Sequence, residues 1–105
     1  MTKVKVNAGA CGMVSIVDVS NLGQMKMSVK IESDCEMLKK LGEQLEEISL
    51  RDALKNHAES EIYMKASESL KHTACPVPSA ILKAIEVEAK MNLPRPVTIE
   101  FEPAD

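Results

Sequence analysis

Aromatic residues are nearly absent from this chain. It has no tryptophan, one tyrosine and one phenylalanine among 105 residues. Bases and sugars are held largely by stacking on aromatic faces, and that chemistry has almost nothing to use here. A basic surplus is missing too: 13 Lys and Arg stand against 16 Asp and Glu, for a net charge of −3. Phosphate backbones are bound by clustered Lys and Arg, so nucleic acid is not an expected partner. No apolar run approaches the ~20 residues that span a bilayer, so no membrane is expected as a partner either. The opening MTKVKVNAGACG lacks the apolar stretch of a secretory signal. There is no P-loop, no G-x-G-x-x-G and no G-x-S-x-G, so an enzyme is not the first reading.

What is present is the balance of a globular protein: 45% hydrophobic and 28% charged residues. The length suits one domain spanning residues 1–105. Val, Ile, Leu, Ala and seven Met must fill the core in place of aromatics. Met adapts its shape but specifies packing poorly, so a bound metal or a homodimer contact would help such a core.

Val4, Val6 and Ala8 alternate with Lys3, Lys5 and Asn7, which predicts a half-buried strand. Gly9-Ala10-Cys11-Gly12 reads as a turn. Residues 13–19 form a second strand, and Asn21-Leu22-Gly23 a second turn. Met25, Met27, Val29 and Ile31 alternate with Lys26, Ser28, Lys30 and Glu32 as a third strand with one wet face. Ser33 and Glu36 have capping-box spacing, followed by a helical stripe of Leu38, Leu41, Leu45 and Ile48. Gly42 interrupts that helix at a cost of ~1 kcal/mol against Ala. Ser49 and Asp52 start a second helix; Ile62, Ala66 and Leu70 mark a third. Pro78 opens a fourth, with Ile81, Leu82, Ile85 and Ala89 inward. Val97, Ile99 and Phe101 alternate with Thr98, Glu100 and Glu102 as a last strand. The order β-β-β-α-α-α-α-β predicts an α+β fold: a four-stranded, mainly antiparallel sheet with helices packed on one face.

Three cysteines, Cys11, Cys35 and Cys75, carry the functional argument. An odd number without a secretory signal points to a reducing cytoplasm rather than a disulfide framework. Core packing is the plain alternative, since Cys is among the most buried residue types. Yet each of these lies in a turn or at a helix start. The three-strand meander returns the end of strand three to the edge where strand one ends, which places Cys35 near Cys11. Cys75 joins them if the last strand runs parallel to strands one and three. Amides at a helix start and in a glycine-flanked turn stabilise a thiolate, the form that ligates metal or attacks an electrophile.

His72 lies three residues before Cys75. Cys11, Cys35, His72 and Cys75 are therefore candidate ligands of a Cys3His zinc site, or the three cysteines hold an iron–sulfur cluster. His72 also suits a helix C-terminus as a basic residue, and His57 in its acidic stretch is expected on the surface. Glu46 and Glu47 read as helix surface.

The string Cys75-Pro76-Val77-Pro78 before an amphipathic helix resembles the Cys-Pro-x-Pro motif of the TusA/SirA-like sulfur carriers. That resemblance implies a persulfide carried on Cys75, although in that family the motif follows the first strand. Over most of its length the chain is similar to a small family of methanogenic archaea and other anaerobes, a domain of unknown function. The similarity rests on Asn7-Ala8-Gly9-Ala10-Cys11-Gly12, Ser33-Asp34-Cys35, Ala74-Cys75-Pro76-Val77-Pro78 and Ala80-Ile81-Leu82-Lys83-Ala84. It implies an anaerobic setting, in which an exposed iron–sulfur cluster survives. The leading expectation is a small metal-binding or iron–sulfur protein. The alternatives are a sulfur carrier acting through Cys75, or a non-catalytic domain with a protein partner and buried cysteines.

Overall fold

The computed structural model describes residues 1–104. Strand β1 (Thr2–Asn7) pairs antiparallel with β2 (Val14–Gly23), and β2 with β3 (Lys26–Glu32). Register follows the alternation. Val4 opposes Val17 and Val19 opposes Val29, while Lys3 and Lys30 both face Asp18 across the sheet. One face is thus apolar and the other charged, so the helices collect on the first. The β2–β3 turn runs through Gln24 (φ 54°) and Met25 (φ 64°), so Met25 belongs to the turn rather than to the third strand. Positive φ at both central residues matches the twist of a two-residue hairpin turn.

Helix α1 (Glu36–Glu43) begins one residue after Cys35, which occupies the cap position. Ser33 and Glu36 do not form a capping box. Ser33 Oγ instead accepts the Cys35 N–H at 3.1 Å and a hydrogen bond from Ser15 Oγ at 2.9 Å. Glu36 turns outward to Lys39, 3.3 Å away. Gly42 faces Ile31: a Cβ there would lie 3.4 Å from Ile31 Cβ, an ordinary packing contact between α1 and β3.

The fourth strand is β4 (Ile48–Ser49), not residues 97–101. Spacing of three between Leu45 and Ile48 fits a helix, but α1 ends before them and both are buried from extended chain. The Leu45 carbonyl accepts the Val29 N–H at 2.9 Å, Ile48 pairs with Met27, and the Leu50 N–H donates to the Met25 carbonyl at 2.8 Å. This segment therefore fills the edge beside β3. The observed order is β-β-β-α-β-α-α-α, and the fold is α+β with a four-stranded antiparallel sheet in the order β1-β2-β3-β4.

Ser49 caps the single turn α2 (Leu50–Ala53), accepting the Asp52 N–H. Ser60, buried, precedes α3 (Glu61–Ser69) and donates to the Ala53 carbonyl at 2.6 Å. His57 lies exposed beside Tyr63. Glu46 and Glu47 are exposed, though on the loop before β4 rather than on a helix. Helix α4 (Val77–Glu88) opens on Val77 and Pro78, where a missing N–H costs nothing, and packs on β1 and β2. Val17, Val19, Met27, Val29, Leu41, Leu45, Ile62, Val77, Ile81 and Ile85 form an aliphatic core.

Glu88 fastens the end of α4 to the sheet. Its carboxylate accepts the Thr2 hydroxyl at 2.7 Å and the Asn21 N–H at 3.0 Å, and the Met1 amino group lies at 3.3 Å. Helix α4 thus runs antiparallel to β1. Twelve helical residues span about 18 Å and the six of β1 about 20 Å, so the start of α4 reaches the far end of β1.

Two predictions follow from this packing. The Thr2 hydrogen bond, assisted by Asn21 and the Met1 amino group, holds the Glu88 carboxyl below its ordinary 4.5. A depressed carboxyl pKa contributes stability above the unfolded value and loses it as pH falls through the folded one. Glu88→Gln should therefore be less stable than wild type at neutral pH and lose less on acidification below about pH 4.5, as denaturant midpoints across that range would show. Lys90 terminates α4 at φ 62°, with the Met91 N–H on the Glu86 carbonyl in a Schellman arrangement. Lys90→Gly should raise stability by about 1 kcal/mol, because glycine takes this conformation without steric cost. An unchanged melting temperature would contradict that account.

Candidate functional site

Three separate pieces of chain converge where α4 begins. The first is the turn after β1. Gly9 (φ 84°) and Gly12 (φ 74°) flank Cys11, the Gly12 N–H donates to the Gly9 carbonyl at 2.8 Å, and the Ala8 N–H donates to the Met13 carbonyl at 3.0 Å. Only glycine enters those left-handed positions without penalty, and the resulting tight loop holds Cys11 out on the surface. The second piece is the β3–α1 junction, where Ser15 and Ser33 anchor the Cys35 backbone. The third is the 70–76 segment between α3 and α4. Here the Cys75 N–H donates to the His72 carbonyl at 3.1 Å, which folds His72-Thr73-Ala74-Cys75 into a turn.

Between these pieces lies a cavity of about 220 Å³, and Cys11, Cys35, His72 and Cys75 all line it. Ala8, Leu38, Leu70 and Pro76 give it apolar walls. All four candidate residues are therefore neighbours of one cavity. The route for Cys75 differs from the one the sequence suggested. Among the described residues no last strand returns to the sheet; α4 itself, lying antiparallel along β1, carries Cys75 to the Cys11 end. Cys35 and Cys75 are half-buried and pack against the core, whereas Cys11 and His72 are exposed. His72 lies beyond the last residue of α3 rather than in its final turn.

Burial raises the Cys75 thiol above the ordinary 9.0. The Val77 N–H at the start of α4 draws it down, while the nearby Cys35 and Cys11 thiols push it further up. The helix start, expected to favour a Cys75 thiolate, is thus outweighed by desolvation. Among the described residues, no group of three or more His, Cys, Asp or Glu side chains is arranged to hold a metal ion. Zn–S bonds of about 2.3 Å in a tetrahedral site require sulfurs about 3.8 Å apart. Neither the Cys3His zinc site nor the three-cysteine cluster site read from the sequence stands ready-made among the described residues.

Two lining residues escaped the sequence reading. Met13 and Met37 each follow a cysteine at the second position, in Cys11-Gly12-Met13 and Cys35-Glu36-Met37. Met37 Sδ accepts the Lys71 N–H at 3.4 Å, which ties α1 to the loop carrying His72. The repeated Cys-x-Met spacing was the available signal. It places five sulfur atoms from Cys and Met side chains around one cavity.

These features define a small α+β domain with a sulfur-lined cavity at one end of its sheet. A family model matches residues 2–101, and the chain belongs to that family, a family of unknown function (DUF6951). No curated protein and no solved structure matches the chain. No helix among the described residues is long and apolar enough to cross a membrane.

The upward push on the Cys75 thiol leads to a reactivity order. In metal-free protein, iodoacetamide should modify Cys11 first and Cys75 last, followed by mass spectrometry of digested samples. Replacing Cys11 and Cys35 by serine should shift the pH midpoint of Cys75 modification downward. A midpoint that stays in place, or a Cys75 as fast as Cys11, would contradict the assigned causes.

Proposed function

We propose that this protein carries an iron–sulfur cluster on Cys11, Cys35 and Cys75. The observation that supports this reading is the convergence of all three cysteines, from distant parts of the chain, on one largely apolar cavity. Three thiolates in so small a volume repel one another, as the upward push of Cys11 and Cys35 on Cys75 expresses. A cationic iron centre reverses that repulsion. Bridging sulfides let a cluster link thiolates spaced more widely than a single zinc ion tolerates. His72 at the cavity rim is the candidate fourth ligand. Apolar walls limit the water reaching the iron, and burial is one of the features that set the potential of such a centre.

The sulfur-carrier alternative asks for a low-pKa Cys75 at the helix start, and the raised Cys75 thiol weighs against it. The purely structural alternative asks for buried cysteines, and the exposure of Cys11 weighs against that. A cluster protein of this size, in a reducing cytoplasm, would serve a protein partner by electron transfer, cluster delivery or redox sensing.

The test is purification without oxygen, with an absorption spectrum and iron, sulfide, zinc and copper measured on one sample. The expected result is broad absorbance near about 400 nm with iron and sulfide, lost in each single Cys→Ser variant. Zinc or copper alone, or a folded metal-free protein, would overturn the proposal. So would iron content that survives Cys11→Ser, Cys35→Ser and Cys75→Ser alike.

A further inference from the structure

Residues 97–101 carry strand alternation, yet they lie outside the sheet. Every residue from 90 to 104 is exposed; Ile99 is 81% exposed and Phe101 completely so. Among the described residues, no backbone hydrogen bond ties residues 96–104 to the body. Met91, Leu93, Val97, Ile99 and Phe101 together display an apolar series that water alone surrounds. The family match runs to residue 101, so this segment is part of the domain.

The sheet has a matching vacancy. Strand β1 is an edge, hydrogen-bonded to β2 on one side only. Thr2, Val4 and Val6 face the helices, and Lys3 and Lys5 face the open side. Residues 97–101 repeat that pattern with the opposite charge: Val97, Ile99 and Phe101 on one face, Thr98 and Glu100 on the other, and Glu102 beyond. Five extended residues span about 17 Å, close to the length of β1. Placed beside β1 in either direction, the apolar face continues the Val4–Val6 surface and the acidic side chains fall among Lys3 and Lys5. Exposed lysines on an edge strand discourage indiscriminate pairing, but they favour an acidic strand.

We propose that residues 97–101 of one chain add as a fifth strand to the β1 edge of a second copy, in a reciprocal two-fold dimer. The chain turns at Pro94, where the Arg95 N–H donates to the Leu93 carbonyl at 2.8 Å, and the segment beyond Pro96 stays clear of its own β1, which leaves its strand pattern for a second copy. Main-chain hydrogen bonds give such an added strand its affinity, and the side-chain pattern gives its selectivity.

Sedimentation velocity across the micromolar range tests this on the full chain. Wild type should be a dimer. Ile99→Asp combined with Phe101→Asp should be a monomer with unchanged circular dichroism, since neither residue touches the core. Lys3→Glu with Lys5→Glu should weaken the dimer roughly tenfold, since cross-strand attraction becomes repulsion. Adding Glu100→Lys and Glu102→Lys should restore it. A monomeric wild type, including one whose tail pairs with its own β1, would overturn the proposal. So would a dimer that survives the tail substitutions or a charge exchange that restores nothing.

Discussion

The alignment of α4 along β1 is the constraint on which the candidate site depends. Glu88 grips the start of β1 and the end of β2 through Thr2 and Asn21, so the helix can run in only one direction. Because twelve helical residues and six extended ones have nearly equal length, the two elements begin and end together. The residues just before α4 then meet those just after β1. Cys75 and Cys11 become neighbours because a helix and a strand match in length and oppose in direction.

The core is aliphatic almost throughout, and this shapes how the site is built. Without aromatic rings to stiffen it, close contact comes from β-branched residues on the sheet and from α1, whose Gly42 faces Ile31. Cys35 is set by that contact at one remove, since it caps the same helix while Ser15 and Ser33 hold its backbone. Apart from the His72 imidazole, the side chains that line the cavity carry no nitrogen or oxygen. Its side-chain chemistry is mainly sulfur, in an apolar setting that penalises an unpaired thiolate and favours a bound cation.

At the Cys11 end, the 70–76 loop closes a cavity. Along the outer side of β1, an edge remains open, and the chain carries a strand of opposite charge that its own fold leaves unpaired. Residues 45–49 explain why that strand is not needed on the other edge, since they already pair with β3.

Much of this was legible in the residues. Period-two alternation in 2–7 and 26–32 determined the meander, and with it the neighbourhood of Cys11 and Cys35, because a strand's two faces follow directly from residue order. Ser49, Pro78 and the stripe of Ile81 and Ile85 likewise marked their helices by local chemistry. Leu45 and Ile48 were not separable in this way: a spacing of three suits a helix turn as well as two buried points on extended chain, and only the free edge of β3 decided between them. Alternation in 97–101 was equally real, but pairing is a property of two strands, so sequence could specify the strand and not its partner. The approach of Cys75, His72, Met13 and Met37 to a common cavity, and the upward shift of the Cys75 thiol, came from tertiary structure alone. Local order sets what each residue is able to do, whereas burial and the direction in which α4 packs set what stands beside it.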